Sequence, residues 1–185
     1  ATTAYLQGAK YANGEFIQIH PTAIPGQDKL RLMSESARGE GGRVWVPRKV
    51  EDKRDPKKIP ENERYYFLED KYPLFKNLVP RDVASREIYD IVYNKNLGVS
   101  GDPMVYLDLT HKSREFLDNR LGGIMDTYTK FTGVDPRESP MKIFPAVHYS
   151  MGGLWTDYGP DSDGLIDHGS PKNQMTSITG LFAAG

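Results

Sequence analysis

Residues 20–42 read HPTAIPGQDKLRLMSESARGEGG. A histidine, a hydroxyl, a carboxylate and an arginine precede a break into glycines. His20 closes the alternating run Phe16-Ile17-Gln18-Ile19, so residues 15–20 read as a strand. Pro21 lacks the N–H that a ladder needs and is expected to end it. Lys29 to Ala37 suits a short helix, on whose face Ser34, Glu35 and Arg38 lie three and four residues apart. Gly39, Gly41 and Gly42 then allow close approach to a flat ligand, or tight packing. The same spacing also suits a weak surface ion pair, Glu35 to Arg38, beside a glycine turn.

Toward the amino end, Tyr5, Leu6 and Ala9 fall at helical spacing and Asn13-Gly14 supplies a stop. Toward the carboxyl end, residues 43–46 read as a strand, and 47–64 as a charged, proline-broken loop. The aromatic run YYFLEDKYPLF (65–75) suits core or subunit contact. Pro80 opens a helix over 80–94, with Val83, Ile88, Ile91 and Val92 as its apolar stripe and Asp82 paired to Arg86. Arg81 therefore stands in a first turn, where partial positive charge disfavours a cation unless a carboxylate or anion faces it. Met104–Leu109 alternates as a strand. Ser113 suits the N-cap of a helix to about Phe131, with Phe116, Leu117, Leu121, Ile124, Met125 and Tyr128 turned inward. Residues 141–156 read as two short strands around Gly152-Gly153, with His148 on one of them. Residues 157–175 read as loop, and Ile178 to Ala184 as an apolar edge strand.

Composition narrows the function. The 185 residues suffice for one good core and a second small lobe. Twenty-four Lys and Arg against 25 Asp and Glu leave no basic patch for nucleic acid. No apolar run reaches the roughly 18 residues of a membrane span, and no secretion leader is visible. Without cysteine there is no disulfide, thiolate site or cysteine nucleophile. Asp157, Asp161 and Asp163 before Gly164 fall short of the full calcium-loop pattern, so no metal is expected. RGEGG lacks the Lys-Ser/Thr of a phosphate loop and the setting of a dinucleotide fingerprint. His111 and His168 read as surface histidines. His20, Ser34, Arg38, Arg81 and His148 remain as the candidate anion site, suited to a small dicarboxylate through charge-assisted hydrogen bonds. Spacing does not establish that these five converge.

The stretches EFIQIHPTAIPG, SESARGEGGRVW, NLVPRDVASREI, MVYLDLTHK, PAVHYSMGGLW and GLFAAG together resemble the flavoprotein subunit of succinate dehydrogenase and fumarate reductase. They come in the family's order and extend over most of the chain. The likeness is strongest to the branch anchored by a single diheme cytochrome, and L-aspartate oxidase is a near relative. A free-standing dicarboxylate-binding module is the reading from another class.

The resemblance implies an α+β capping domain, a small mixed sheet with packed helices, cut from a longer FAD-dependent protein. Residues 1–20 would lead from the FAD domain, 21–150 would form the capping domain, and 151–185 would return. The parent would interconvert succinate and fumarate by hydride exchange with the flavin and proton transfer by an arginine. His20, Ser34 and His148 would bind substrate, Arg81 would transfer the proton, and Glu35 with Arg38 would relay it to solvent. Gly185 would touch the cofactor. FAD is expected in the full-length protein, not on this piece alone, which would be inactive. An iron–sulfur subunit and a cytochrome b anchor are the implied partners. The complex would sit peripherally on the cytoplasmic face of the cell membrane, without insertion of this subunit.

Overall fold

The computed structural model describes residues 1–26 and 31–184. The chain divides into two compact units: residues 1–18 with 148–185, and residues 19–147.

The larger unit is α+β. Its sheet has six strands in the order β3-β2-β7-β6-β4-β5. They are β2 (Ile17–Ile24), β3 (Arg31–Leu32), β4 (Arg43–Pro47), β5 (Arg64–Tyr65), β6 (Val105–Asp108) and β7 (Met141–Ser150), β2 and β7 crossing the unit boundary. The pairs β2–β3, β4–β5, β4–β6 and β6–β7 are antiparallel. The strand expected over 15–20 begins at Ile17 and does not stop at Pro21 but runs on to Ile24. The β3 register covers only Ala23 and Ile24, so the N–H missing at Pro21 lies outside it. The helix expected over 29–37 is also corrected. Residues 29 and 30 lie outside the described residues, Arg31–Leu32 pairs in the sheet, and only Ser36–Gly39 is helical (α2). Pairing with β2 overrides the local helical pattern.

Two further helices follow their sequence signals. Pro80 precedes α4 (Arg81–Tyr89), which continues as a wider π turn over Asp90–Asn94. Helix α5 (Arg114–Thr132) begins at Ser113, whose Oγ accepts the Phe116 N–H at 3.2 Å, and ends at Gly133 with φ +73°. Leu117, Leu121, Met125 and Tyr128 of α5 join Ile88 and Ile91 of the α4 stretch, Val44, Val46, Val105 and Leu107 in one core. Each such side chain contributes about 1.5–3 kcal/mol on full burial. A short helix α3 (Phe67–Lys71) adds Phe67 and Leu68 to it, whereas Leu74 and Phe75 of the same aromatic run are exposed. The segment 47–64 is not wholly solvated: Ile59 packs with Trp45 and Tyr106 in a second cluster, and Asp52 is buried against Arg54.

The smaller unit is sparser. A one-turn helix α1 (Thr2–Leu6) gives way at Gly8, φ +95°, to β1 (Tyr11–Ala12), so the helical pattern does not extend to Asn13. Strand β1 pairs antiparallel with β8 (Gly153–Leu154). The span 141–156 is thus one ten-residue strand and one two-residue strand that pairs elsewhere. Residues 157–175 form loops, as expected. Ile178 to Ala184 is not a strand: a turn joins Leu181 N–H to the Ile178 carbonyl at 3.1 Å, and Met175 bridges Phe182. Among the described residues no helix is long and apolar enough to cross a membrane, and no acidic or histidine cluster could hold a metal.

Candidate functional site

The site is built where β2, the turn before α2 and the start of α4 come together. Strand β2 carries His20 inward, 3% exposed. Two residues on, Thr22 points to the same side, as strand alternation requires. Its backbone N–H lies 3.2 Å from His20 Nδ1, and its hydroxyl donates to the Met33 carbonyl at 3.0 Å. Thr22 thus meets Nδ1 with both its N–H and its hydroxyl, the latter at 3.0 Å, and the other ring nitrogen is Nε2. That Nε2 faces Glu35 Oε2 at 3.7 Å. Thr22 holds the ring in place and was not singled out in the sequence; the i,i+2 step from a strand histidine to a threonine was the available signal.

Glu35 lies between two guanidinium groups. Oε1 accepts from Arg38 Nη2, and Oε2 accepts from Arg81 Nε at 2.5 Å. The carboxylate that Arg81 needed at a helix start is thus Glu35. Burial pushes the Glu35 carboxyl pKa up, but Arg81 and Arg38 outweigh it and hold the group below its ordinary range. Arg38 is 2% exposed. Burial pulls its guanidinium below the ordinary value, Glu35 restores part of that, and the charge of Arg81 adds to the lowering. Arg38 Nη1 donates to the carbonyls of Asn77 and Val79 at 2.9 and 3.0 Å, while its buried Nε has no hydrogen-bond partner. Glu35 and Arg81 remain part-exposed, with side chains 40% and 36% accessible. The arrangement joins a buried cation to an accessible one through a shared carboxylate. Such a chain can move a proton: a base taking one from Arg81 leaves a site that Glu35 and Arg38 can refill.

Gly41 and Gly42, after Arg38, serve packing, whereas the space beside Gly39 is open. A Cβ on Gly42 would stand 2.4 Å from the Ala37 carbonyl and 2.8 Å from Leu107 Cδ1, and Gly41, at φ +96°, lies against Lys112. They let α2 fold directly back into β4 and so set Arg38 into the core.

The sequence candidates divide accordingly. His20, Glu35, Arg38 and Arg81 are brought together. Ser34 precedes Glu35, and its hydroxyl accepts the Ser36 N–H at 3.2 Å and donates to Ser36 Oγ at 3.1 Å, starting α2. His148 belongs to the smaller unit, where its ring meets Tyr149 edge-on at 4.8 Å. Gly185 lies outside the described residues.

A model of an FAD binding domain matches residues 1–185. The succinate dehydrogenase flavoprotein subunit of Bacillus subtilis is 60% identical over the whole chain, which spans 27% of that relative. The fumarate reductase flavoprotein subunit of a Serratia strain is 32% identical over 98% of the chain and 27% of its own length. Among solved structures, a quinol-fumarate reductase with menaquinol molecules superposes with a TM-score of 0.69 at 32% identity, over 98% of this chain and 28% of that one. Escherichia coli quinol fumarate reductase gives a TM-score of 0.62 at 32% identity, over 82% of this chain and 25% of that one. The chain thus spans about a quarter of the length of the relatives it matches.

Proposed function

We infer the function from one premise: the chain belongs to the FAD-binding-domain family, among the flavoprotein subunits of succinate dehydrogenase and fumarate reductase. We propose that residues 21–150 are the capping domain of such a subunit, with 1–20 and 151–185 leading to and from the FAD domain. The whole protein would interconvert succinate and fumarate, with an iron–sulfur subunit and a cytochrome b anchor as partners, peripheral on the cytoplasmic face of the cell membrane.

The glycine turn after Arg38 does not fit the dinucleotide of FAD. A pyrophosphate site needs a glycine turn between a strand and a helix of a parallel unit. Here the assigned pairings of β4 and β6 are antiparallel, and the space around Gly41 and Gly42 is filled by Lys112, Ala37 and Leu107. FAD carries the redox chemistry in the whole protein. The part proposed for this stretch is the proton and the dicarboxylate. Arg81 exchanges the proton with substrate, and Glu35 and Arg38 return its proton balance. His20, Ser34 and His148 grip the carboxylates. A guanidinium is a weak acid on its own, and the shared carboxylate makes its reprotonation immediate.

The observation that carries this reading is Glu35 bonded at once to Arg38 and Arg81. The test is Arg81→Lys in the full-length subunit. Lysine keeps the charge and loses the planar fork. Turnover is expected to fall about 10²–10⁴-fold, with substrate affinity changed far less; normal turnover would refute the assignment.

A further inference from the structure

We infer that Asn77 is a positioning residue for the Arg38–Glu35–Arg81 group, holding the turn that orients both arginines. The inference rests on the proton-transfer reading proposed above and adds a residue to it.

The turn Lys76–Leu78 does two things for the site. Its carbonyl at Asn77, with that of Val79, receives Arg38 Nη1. Four residues after Asn77 the chain delivers Arg81 at the first position of α4. Whatever fixes this turn therefore fixes the guanidinium on each side of Glu35. Val79, just after the turn, is buried in the core, but the turn and the residues leading into it have little apolar anchorage. Leu74, Phe75 and Leu78 are 86%, 56% and 62% exposed, and Lys76 adopts the left-handed φ of +49° that a side chain rarely takes.

Asn77 is the exception, buried and satisfied at both ends of its amide. Oδ1 accepts the backbone N–H of Val44 at 2.9 Å, and Nδ2 donates to Glu69 Oε1 at 2.8 Å. The orientation of the amide follows from its partners, since a backbone N–H only donates and an ionised carboxylate only accepts. The β5 register on β4 covers only Val46 and Pro47, so at Val44 the Asn77 side chain takes the place of a strand. Glu69 is itself held. Arg43 grips it with two bonds, Nε to Oε1 at 2.8 Å and Nη2 to Oε2 at 3.0 Å, and stacks on Tyr66 at 3.6 Å. Those Arg43 bonds outweigh burial and keep Glu69 ionised below the ordinary carboxylate range. The path from β4 to the site thus runs Arg43, Glu69, Asn77, the turn, Arg38.

The test compares Asn77→Ala, Arg81→Lys and Leu74→Ala in the full-length subunit within its complex. Three quantities are read: turnover per bound flavin, KM, and the crystallographic distances from Arg38 Nη1 to the carbonyls at 77 and 79. Asn77→Ala is expected to lower turnover about 10–100-fold, the cost of misplacing a reacting group by an ångström or so. Its KM should stay within about threefold, since the turn binds no substrate. Both carbonyl distances should lengthen beyond hydrogen-bonding range. Leu74→Ala, just before the turn and exposed, should leave all three quantities unchanged. A merely structural Asn77 would lower yield or melting temperature while turnover per flavin and the Arg38 contacts persisted, and that result overturns the inference. Loss in Arg81→Lys with normal turnover in Asn77→Ala overturns this inference alone. Normal turnover in Arg81→Lys overturns the proton-transfer reading and this inference with it. If Asn77→Ala yields no folded subunit, Asn77→Ser, which keeps a hydroxyl acceptor, is judged by the same criteria.

Discussion

Arg38 and Arg137 are both withdrawn from solvent, their side chains 2% and 9% exposed, and they are furnished in opposite ways. Arg137 faces three carboxylates: Asp118 at 2.5 Å, Asp126 at 2.9 Å and Asp135 at 3.2 Å. Burial would lower its pKa, but the three acids outweigh that and raise it. Arg38 shares a single carboxylate with a second arginine, and its pKa ends lowered. A surplus of acid locks a guanidinium and clasps the loop after α5 to that helix. A deficit leaves the proton less firmly held, in keeping with the relay proposed for Arg38. Ion-pair count alone does not separate the two; the ratio of acids to arginines does.

The sharpest way to break this contrast is to make the same change in both clusters. Arg81→Lys should cost about 10²–10⁴-fold in turnover, measured by succinate oxidation in the full-length subunit. Arg137→Lys should leave turnover within about twofold of the parent, because nothing in that cluster touches the site. Equal losses would erase the distinction.

Stability should respond in the reverse order. Arg137→Ala leaves three carboxylates facing one another, two of them well exposed. Discounted for solvent screening, the cost is about 1–3 kcal/mol in urea unfolding. Arg81→Lys, at a part-exposed helix start, should stay within about 0.5 kcal/mol.

pH offers a third test. The Glu35 and Asp135 carboxyls titrate lower in the folded chain than their ordinary 4.5 and 3.8. A depressed folded pKa means stability that is present above the ordinary pKa and lost as pH falls through the folded one. Acid unfolding should therefore begin below about pH 4.5, and Glu35→Gln should shift its onset. At the alkaline end, burial raises Tyr106 and Tyr128 from 10 to about 12. The stability they confer is full below pH 10 and lost as pH rises through 12, up to about 2–3 kcal/mol each. The smallest effect belongs to Asp82→Asn, which breaks an exposed i,i+4 pair at 2.6 Å and should cost no more than about 0.5 kcal/mol.

The legibility of the sequence follows the same division between local and long-range causes. Helix α5 could be read to its ends because Ser113 and the apolar stripe act within one turn of the chain, and Gly133 closes it. Pro80 marked α4 for the same reason, and Arg81 at its start announced a missing carboxylate. The extension of β2 through Pro21 was not legible, because it depends on where a two-residue partner strand takes its register. Nor was β3, whose local pattern suited a helix until pairing decided otherwise. At the site, Glu35 and Arg38 were legible as neighbours on spacing, whereas their meeting with Arg81, 46 residues away, is set by the Asn77 turn and the core beneath it. Residue type made His20, Ser34 and His148 candidates for an anion site, and the resemblance to the family gave them their substrate-binding roles. The smaller unit was least legible, since its strands are two residues long and bury few side chains.

The central claim is that the carboxylate between two arginines carries proton traffic. Glu35→Gln in the full-length subunit tests it most directly, because glutamine keeps the shape and removes the charge. Turnover and substrate dissociation constant would be measured on the same preparation. The account predicts a fall in turnover of about 10²-fold or more, with the dissociation constant within a few-fold of the parent. Turnover at the parent level, with the substrate still bound, would contradict it.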